Sequence, residues 1–346
     1  MRKVLVLGAF GYTNNQLDGQ TIKTRNVFNL LEERFNGVVK KSDTIEFRKK
    51  PWVIFSFLFH LITCKTLVII PCLNNLTYIF PVVYLLSKIF RYEIISICIG
   101  GWQVEYFKGN ERFNPHPRQL RYSKRIKAFL PEMEKVNSDL IKELNFKNTE
   151  VFPNFRVFNL LDMRNNNHEE LQLVFMARIN KKKGYQTIFE ALDRLHIEKI
   201  PVSMSFYGQI SEEDKDDFME LLRKHSDNTR YEGALKPDEI QETLSHYDVL
   251  LLPTQYYTEG FPGSILDAYI AGKPVIVTEW EHSHEFVKDT ETGFIVPFEN
   301  GLEELVEKIK LLNCNRDILE QMKYAAREQS KKYSVDAAWS VLKKYL

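Results

Sequence analysis

Residues 258–278 read Thr258-Glu259-Gly260-Phe261-Pro262-Gly263-Ser264-Ile265-Leu266-Asp267-Ala268-Tyr269-Ile270-Ala271-Gly272-Lys273-Pro274-Val275-Ile276-Val277-Thr278. Gly260, Pro262 and Gly263 keep the opening of this run out of regular structure and let backbone approach a ligand closely. Ser264 stands where an N-cap belongs. Ile265, Leu266, Ala268 and Ile270 then give a short apolar helix, which Gly272 and Pro274 stop. Pro274 to Thr278 reads as a buried strand. Free N–H groups at the helix start, with the positive end of its dipole, favour a phosphate. Glu259 precedes the helix and Asp267 lies within its first turns, so two carboxylates face different parts of one hydroxyl-rich ligand such as a sugar. On the residues alone a plainer alternative stays open, in which Glu259 ends a loop and Asp267 solvates a helix face.

Four other segments carry the reading outward: Val151-Phe152-Pro153-Asn154-Phe155, Phe175-Met176-Ala177-Arg178-Ile179-Asn180-Lys181-Lys182-Lys183-Gly184, Tyr231-Glu232-Gly233-Ala234-Leu235 and Tyr247-Asp248-Val249-Leu250-Leu251-Leu252-Pro253-Thr254. In order and spacing, over roughly residues 150 to 300, they resemble the retaining glycosyltransferases of the GT-B fold, family 4 type (glycosyl transferases group 1). The 258–278 run is similar to that family's E-x7-E signature, with Asp267 one methylene shorter than the usual second Glu. Ala177 likewise replaces a usual Gly.

The resemblance implies an α/β GT-B architecture, two Rossmann-like domains facing each other across a cleft. Residues 1–160 would form the acceptor-side domain, with a C-terminal helix (330–346) packing back on it; residues 161–329 would bind the nucleotide-sugar. It implies Arg178 and Lys183 on the donor diphosphate, Glu259 on the donor sugar and Asp267 on the ribose hydroxyls. The backbone of Gly260, Phe261, Pro262, Gly263 and Ser264 would approach sugar and phosphates, and Gly233 and Leu235 would edge the base pocket. In the first half, Asp18-Gly19-Gln20-Thr21-Ile22-Lys23-Thr24-Arg25 resembles the glycine loop after the first strand. Gly19 fits close backbone approach there, and Gln20 or Thr21 would begin the helix. Lys23 and Arg25 either reach an acceptor phosphate or solvate that helix. Many relatives carry a His after a mid-domain strand; Ser96-Ile97-Cys98-Ile99-Gly100-Gly101-Trp102-Gln103-Val104-Glu105-Tyr106 has none, which leaves Gly101, Trp102 and Glu105 as acceptor-side candidates.

Composition agrees with a two-domain globular chain of 346 residues, 44% hydrophobic and 27% charged. The four cysteines (Cys64, Cys72, Cys98, Cys314) show neither a C-x-x-C pair nor zinc spacing, so a reduced cytoplasmic protein without structural metal is expected. Residues 1–160 hold 24 Lys and Arg against 13 Asp and Glu, the remainder 23 against 33, so an anionic partner is expected for the first half. A phosphate-bearing acceptor and an anionic membrane surface, where each nearby cation contributes about 1 kcal/mol, both fit; no nucleic-acid-binding signature is visible.

Alternating apolar runs and helical patterns predict strands near 3–8, 67–71 and 93–99 with helices near 20–34 and 75–90, then strands near 171–176, 202–207, 249–252, 274–277 and 294–296. The polar run Asp162 to Glu170 reads as the linker. The aromatic stretch Pro51 to His60 follows Arg48-Lys49-Lys50 and suits an interfacial helix, or equally a buried core helix; the longer apolar run Trp52 to Ile70 is interrupted by His60, Thr63, Cys64 and Lys65 and does not cleanly supply a membrane span.

Asp214-Lys215-Asp216 spells a D-x-D, but it sits among acids at a helix start, where dipole compensation explains it. The segment His282-Ser283-His284-Glu285 reads as a polar rim. No metal and no cofactor are expected. The implied function is retaining transfer of a hexose-type sugar from a UDP- or GDP-sugar to a glycan or lipid-diphosphate-linked acceptor, at the inner face of a bacterial membrane in surface polysaccharide, capsule or lipopolysaccharide synthesis. A non-catalytic sugar-nucleotide or membrane-binding subunit, or a GT-B nucleotide-sugar epimerase, stays open as an alternative.

Overall fold

A computed structural model describes residues 3–12, 18–36, 38–109, 113, 115, 118–158 and 169–346. The chain divides into two compact units, residues 1–157 with 333–346, and residues 158–332. The linker read at Asp162 to Glu170 lies outside the described residues, apart from its last two positions.

In the first unit, β1 (Val4–Gly8), α1 (Gly19–Arg34) and β2 (Val39–Asp43) are followed by α2 (Glu46–Lys49), α3 (Val53–Thr63) and β3 (Thr66–Ile70). A π-helical turn (Asn75–Ile79) runs into α4 (Phe80–Phe90), then β4 (Glu93–Ile97), α5 (Gln103–Lys108), α6 (Gln119–Ser123), β5 (Ala128–Leu130) and α7 (Glu134–Lys142). The sheet is parallel throughout, in the order β2-β1-β3-β4-β5.

The second unit holds β6 (Leu171–Met176), α8 (Tyr185–Ile197), β7 (Val202–Tyr207), α9 (Lys215–Lys224), β8 (Thr229–Gly233), α10 (Ile240–Ser245) and β9 (Val249–Leu252). It continues with α11 (Gly263–Ile270), β10 (Val275–Thr278), α12 (Ser283–Phe286), β11 (Gly293–Val296), α13 (Leu302–Cys314) and α14 (Arg316–Ser330). Its sheet is also parallel, ordered β11-β10-β9-β6-β7-β8. The final helix, α15 (Val335–Leu342), belongs to the first unit. Its Ala338 and Leu342 pack in one core with Val4, Val6, Val27, Leu31 and Val68.

Both sheets are buried on two faces, so their central strands are continuous apolar runs such as Leu67–Ile70 and Val249–Leu252. Three strands escaped the sequence reading, and each lies at a sheet edge. β2 (VKKSD) and β8 (TRYEG) expose polar residues, and β5 is three residues long. With a strand on one side only, β2 and β8 need no unbroken apolar run, whereas β5 is apolar and buried but too short to stand out. The aromatic helix α3 is neither wholly core nor wholly surface: Phe57 and Leu61 are buried, whereas Trp52, Phe55 and Phe59 are exposed.

Candidate active site

Ligands in open α/β sheets bind beyond the carboxyl ends of the strands, where the strand order reverses. In the second unit that point lies between β6 and β9, whose connections leave in opposite directions. The β6 exit loop is fixed before any side chain acts. Ala177 N donates to Tyr207 O (3.1 Å) and Ile179 N to Gln209 O (2.9 Å). Gly208 (φ +136°) brings its Cα so near the Ala177 carbonyl that a Cβ would stand 1.9 Å from that oxygen. Asn180 Oδ1 accepts from Lys183 N (3.0 Å) and Asp214 Oδ2 from Lys181 N (3.1 Å), which sets a single 3-10 turn, Lys181–Lys183. Gly184 (φ +82°) then presses on the β9 exit, where a Cβ would meet Pro253 O at 1.8 Å. Gln255 N (2.8 Å) and Thr254 Oγ1 (3.1 Å) both donate to Lys182 O, so the two loops at the switch point are stitched together.

That stitching places the Lys183 ammonium against the Glu259 carboxylate in an ion pair, with Thr254 Oγ1 3.4 Å from the same oxygen. The pair is partly open to solvent, 23% for the lysine side chain and 14% for the glutamate. Arg178, exposed on the same loop, adds a second cation. Gly260, Gly263 and Ser264 are partly exposed beside them. Pro262, not Ser264, is the N-cap of α11. The helix opens at Gly263, which puts Ser264 inside the first turn, and no side chain caps it. Phe261 stacks on Phe286 (centroids 4.1 Å, 4° between planes), so its ring is packing and only its backbone is left for a ligand. Asp267 lies on α11 and is largely buried. Gly233 (φ +80°) ends β8 with its carbonyl accepting from Gly208 N (2.8 Å), and Leu235 is half-buried just beyond. Two cations, one carboxylate and a helix start suit an anionic, hydroxyl-bearing ligand.

The first unit gathers a second group at the carboxyl edge of its own sheet. Gly19, not Gln20 or Thr21, opens α1, with free space where a Cβ would stand, and Asp18 caps the helix, its Oδ1 accepting from Thr21 N (3.0 Å). Gln20 Nε2 donates to Ile70 O (2.9 Å). The expectation that Lys23 reaches an acceptor phosphate fails, because Lys23 is buried and pairs with buried Glu132 at 2.8 Å. The other Glu132 oxygen accepts from Gly100 N (3.2 Å), so the pair holds the Gly100-Gly101 turn. Arg25 Nε donates to Phe10 O (2.7 Å), its guanidinium 4.6 Å from the Tyr12 ring centroid. Trp102 packs edge-on against Tyr106, while Glu105 points outward beside Lys108 (3.9 Å).

Asp214 stands at the N-cap of α9 with Asp216 in the first turn, as the dipole reading expects, and its buried carboxylate also accepts from the Lys181 amide. Asp217 accepts from Tyr185 Oη (2.5 Å) and Gln186 Nε2 (2.9 Å). A cavity of about 740 Å³ lined by Gln172, Pro201, Ser203 and Asn228 opens at the opposite, amino edge of the second sheet, remote from these groups.

Residues 160–329 match the family model described as glycosyl transferases group 1. The second unit is a member of that family. The colanic acid glycosyltransferase WcaL of Salmonella typhimurium, itself a putative assignment, is 26% identical over 46% of this chain and 40% of its own. The N,N'-diacetylbacillosaminyl-diphospho-undecaprenol alpha-1,3-N-acetylgalactosaminyltransferase of Campylobacter jejuni is 31% identical over 43% of this chain and 37% of its own. The chain spans 34–40% of the length of these and a further curated relative. The crystal structure of Anabaena Alr3699/HepE with UDP and glucose superposes with a TM-score of 0.73 over 99% of both chains at 15% identity. The fold is therefore the GT-B fold of glycosyltransferases.

Within the group 1 unit the sequence reading gave no role to Thr254, Asn180 and Gly208, and it missed that Asp214 holds the Lys181 amide. Thr254 had a visible signal, a hydroxyl directly after a buried strand and Pro253. Asp214 had none, since 33 residues separate it from the Lys181 amide that it holds.

Proposed function

We propose that this protein is a retaining, metal-independent hexosyltransferase using a UDP- or GDP-sugar. Its acceptor would be a glycan or a lipid-diphosphate-linked sugar in surface polysaccharide synthesis. The half-open Lys183–Glu259 pair at the switch point, with Arg178 exposed on the same β6 exit loop, carries this reading. As the glycosidic bond breaks, the departing diphosphate gains charge. The Arg178 guanidinium, the Lys183 ammonium and the first amides of α11 stabilise that charge from fixed positions. Glu259 accepts a hydroxyl of the donor sugar, and Asp267 the ribose. Retention follows if both partners react on one face, with the leaving phosphate taking the acceptor proton; no histidine base is then required. The UDP held by the Anabaena structure and the diphospho-undecaprenol in the Campylobacter relative's name support donor and acceptor classes. The four unpaired cysteines agree with a reducing compartment, and we place the reaction on the cytoplasmic side.

A sugar-nucleotide-binding subunit without turnover is the second reading, favoured by the shortened and buried Asp267. Incubation with a panel of UDP- and GDP-sugars in EDTA separates the two. Nucleotide release that survives EDTA and disappears in Glu259→Ala and Arg178→Ala supports the enzyme. Binding without release across donors and lipid-linked acceptors overturns it, and release abolished by EDTA overturns metal independence.

A further inference from the structure

We infer that the outer faces of α3 and α4 form a docking surface for an anionic lipid bilayer. Both helices lie in right-handed crossovers running the same way across the first sheet, β2 to β3 and β3 to β4, so they share one face of it. Each turns an apolar side inward: Phe57 and Leu61 on α3, Phe80, Val83 and Tyr84 on α4. Each also turns an apolar side outward. Phe55 is 76% exposed and Phe59 66%, with Trp52 one turn earlier; on α4, Ile89 is 68% exposed, in line with Leu85 and Val82. Spacings of three and four keep each set on one stripe. A helix apolar on all sides needs a second apolar neighbour, and among the described residues none covers these stripes.

Charge decides the occupant. From Phe47 to Tyr92 the chain holds six Lys and Arg and no Asp or Glu. Lys65, Lys88 and Arg91 are exposed around the patch, as is Lys50, whose ammonium lies 3.8 Å from Glu46. A second copy of the chain would set these cations against each other, since a two-fold interface pairs a surface with itself. An anionic bilayer offers both complements, negative headgroups for the rim and acyl chains for the aromatic centre. At 11 residues each, about 16 Å long, α3 and α4 are too short to cross a hydrocarbon core, and no described helix is long and apolar enough to do so. They lie on the surface. This inference stands apart from the transfer reaction, because none of these residues belongs to the donor site.

The test is flotation of the full chain with vesicles of phosphatidylcholine alone or with phosphatidylglycerol added. The protein is expected to float with the anionic vesicles and to come off as salt rises. Phe55→Glu/Phe59→Glu, and separately Leu85→Glu/Ile89→Glu, are each expected to cut the floated fraction about tenfold. Both should keep the wild-type circular dichroism and nucleotide binding. Failure of the wild type to float, equal flotation on neutral vesicles, or glutamate variants that float unchanged overturns the proposal. So does a dimer in light scattering that the Phe55→Glu/Phe59→Glu variant dissolves while vesicle binding persists.

Discussion

Each unit of this protein carries a lysine–glutamate pair at the carboxyl edge of its sheet, and the two pairs do different work. Lys23 and Glu132 are 1% and 2% exposed, and the second carboxylate oxygen is filled by the Gly100 amide. Lys183 and Glu259 are 23% and 14% exposed, and a second cation, Arg178, is exposed on the loop that carries Lys183. A closed pair of this kind has no capacity left for a ligand and is costly to break, because either partner alone is a buried charge. An open pair can trade its internal contact for a ligand's phosphate or hydroxyl at little cost to the fold. Burial, not residue type, separates a structural ion pair from a binding one.

The largest effect should come from the closed pair. Glu132→Ala is expected to cost about 3–5 kcal/mol in denaturant unfolding, with the Lys23→Met/Glu132→Leu double variant recovering most of it. A loss below about 1 kcal/mol would erase the contrast. The open pair should behave the other way round. Glu259→Ala and Arg178→Ala are expected to lower donor turnover by about 10²–10³-fold while stability moves by no more than about 1 kcal/mol. A large stability loss in Glu259→Ala would make that pair structural too.

Lys273 sharpens the comparison, being buried with no ion pair among the described residues, although the Asp248 and Glu320 charges act on it. Burial first, then the Lys323 charge, bring its ammonium down from 10.5 to about 8, with Asp248 pulling the other way. The unfolded chain therefore holds this proton up to a higher pH than the fold does. The destabilisation is complete below about 8, shrinks as pH rises from 8 to 10.5, and is gone above that. Lys273→Met should thus stabilise the protein at pH 7 by up to about 3 kcal/mol, and melting curves of variant and wild type should converge towards pH 10.5. A constant offset across that range would assign the effect to packing instead. The smallest effect is expected for Thr254→Val, which removes the bond to the Lys182 carbonyl: about 1 kcal/mol in stability and less than tenfold in turnover.

The central strands and the 258–278 loop were legible because their information is local. A parallel strand buried on both faces writes itself as an apolar run, and a glycine–proline turn before an apolar helix needs no distant partner. The edge strands β2 and β8 were not, since one exposed side relaxes the pattern, and β5, though wholly buried, is only three residues long. Lys23 was misplaced because a lysine near a helix start reads as solvated, whereas its partner Glu132 lies 109 residues away.

The sequence by itself determined two parallel α/β units, the group 1 segments and the identity of the charged groups at the second unit's switch point. Only the tertiary structure decided which charges are open. It closed Lys23 on Glu132, committed Asp214 to the Lys181 amide, and left Lys183, Glu259 and Arg178 within reach of solvent. It also turned half of the apolar residues of α3 and α4 outward. The physical reason is common to all of these: desolvation is set by whatever chain happens to lie alongside, and that chain comes from elsewhere in the sequence.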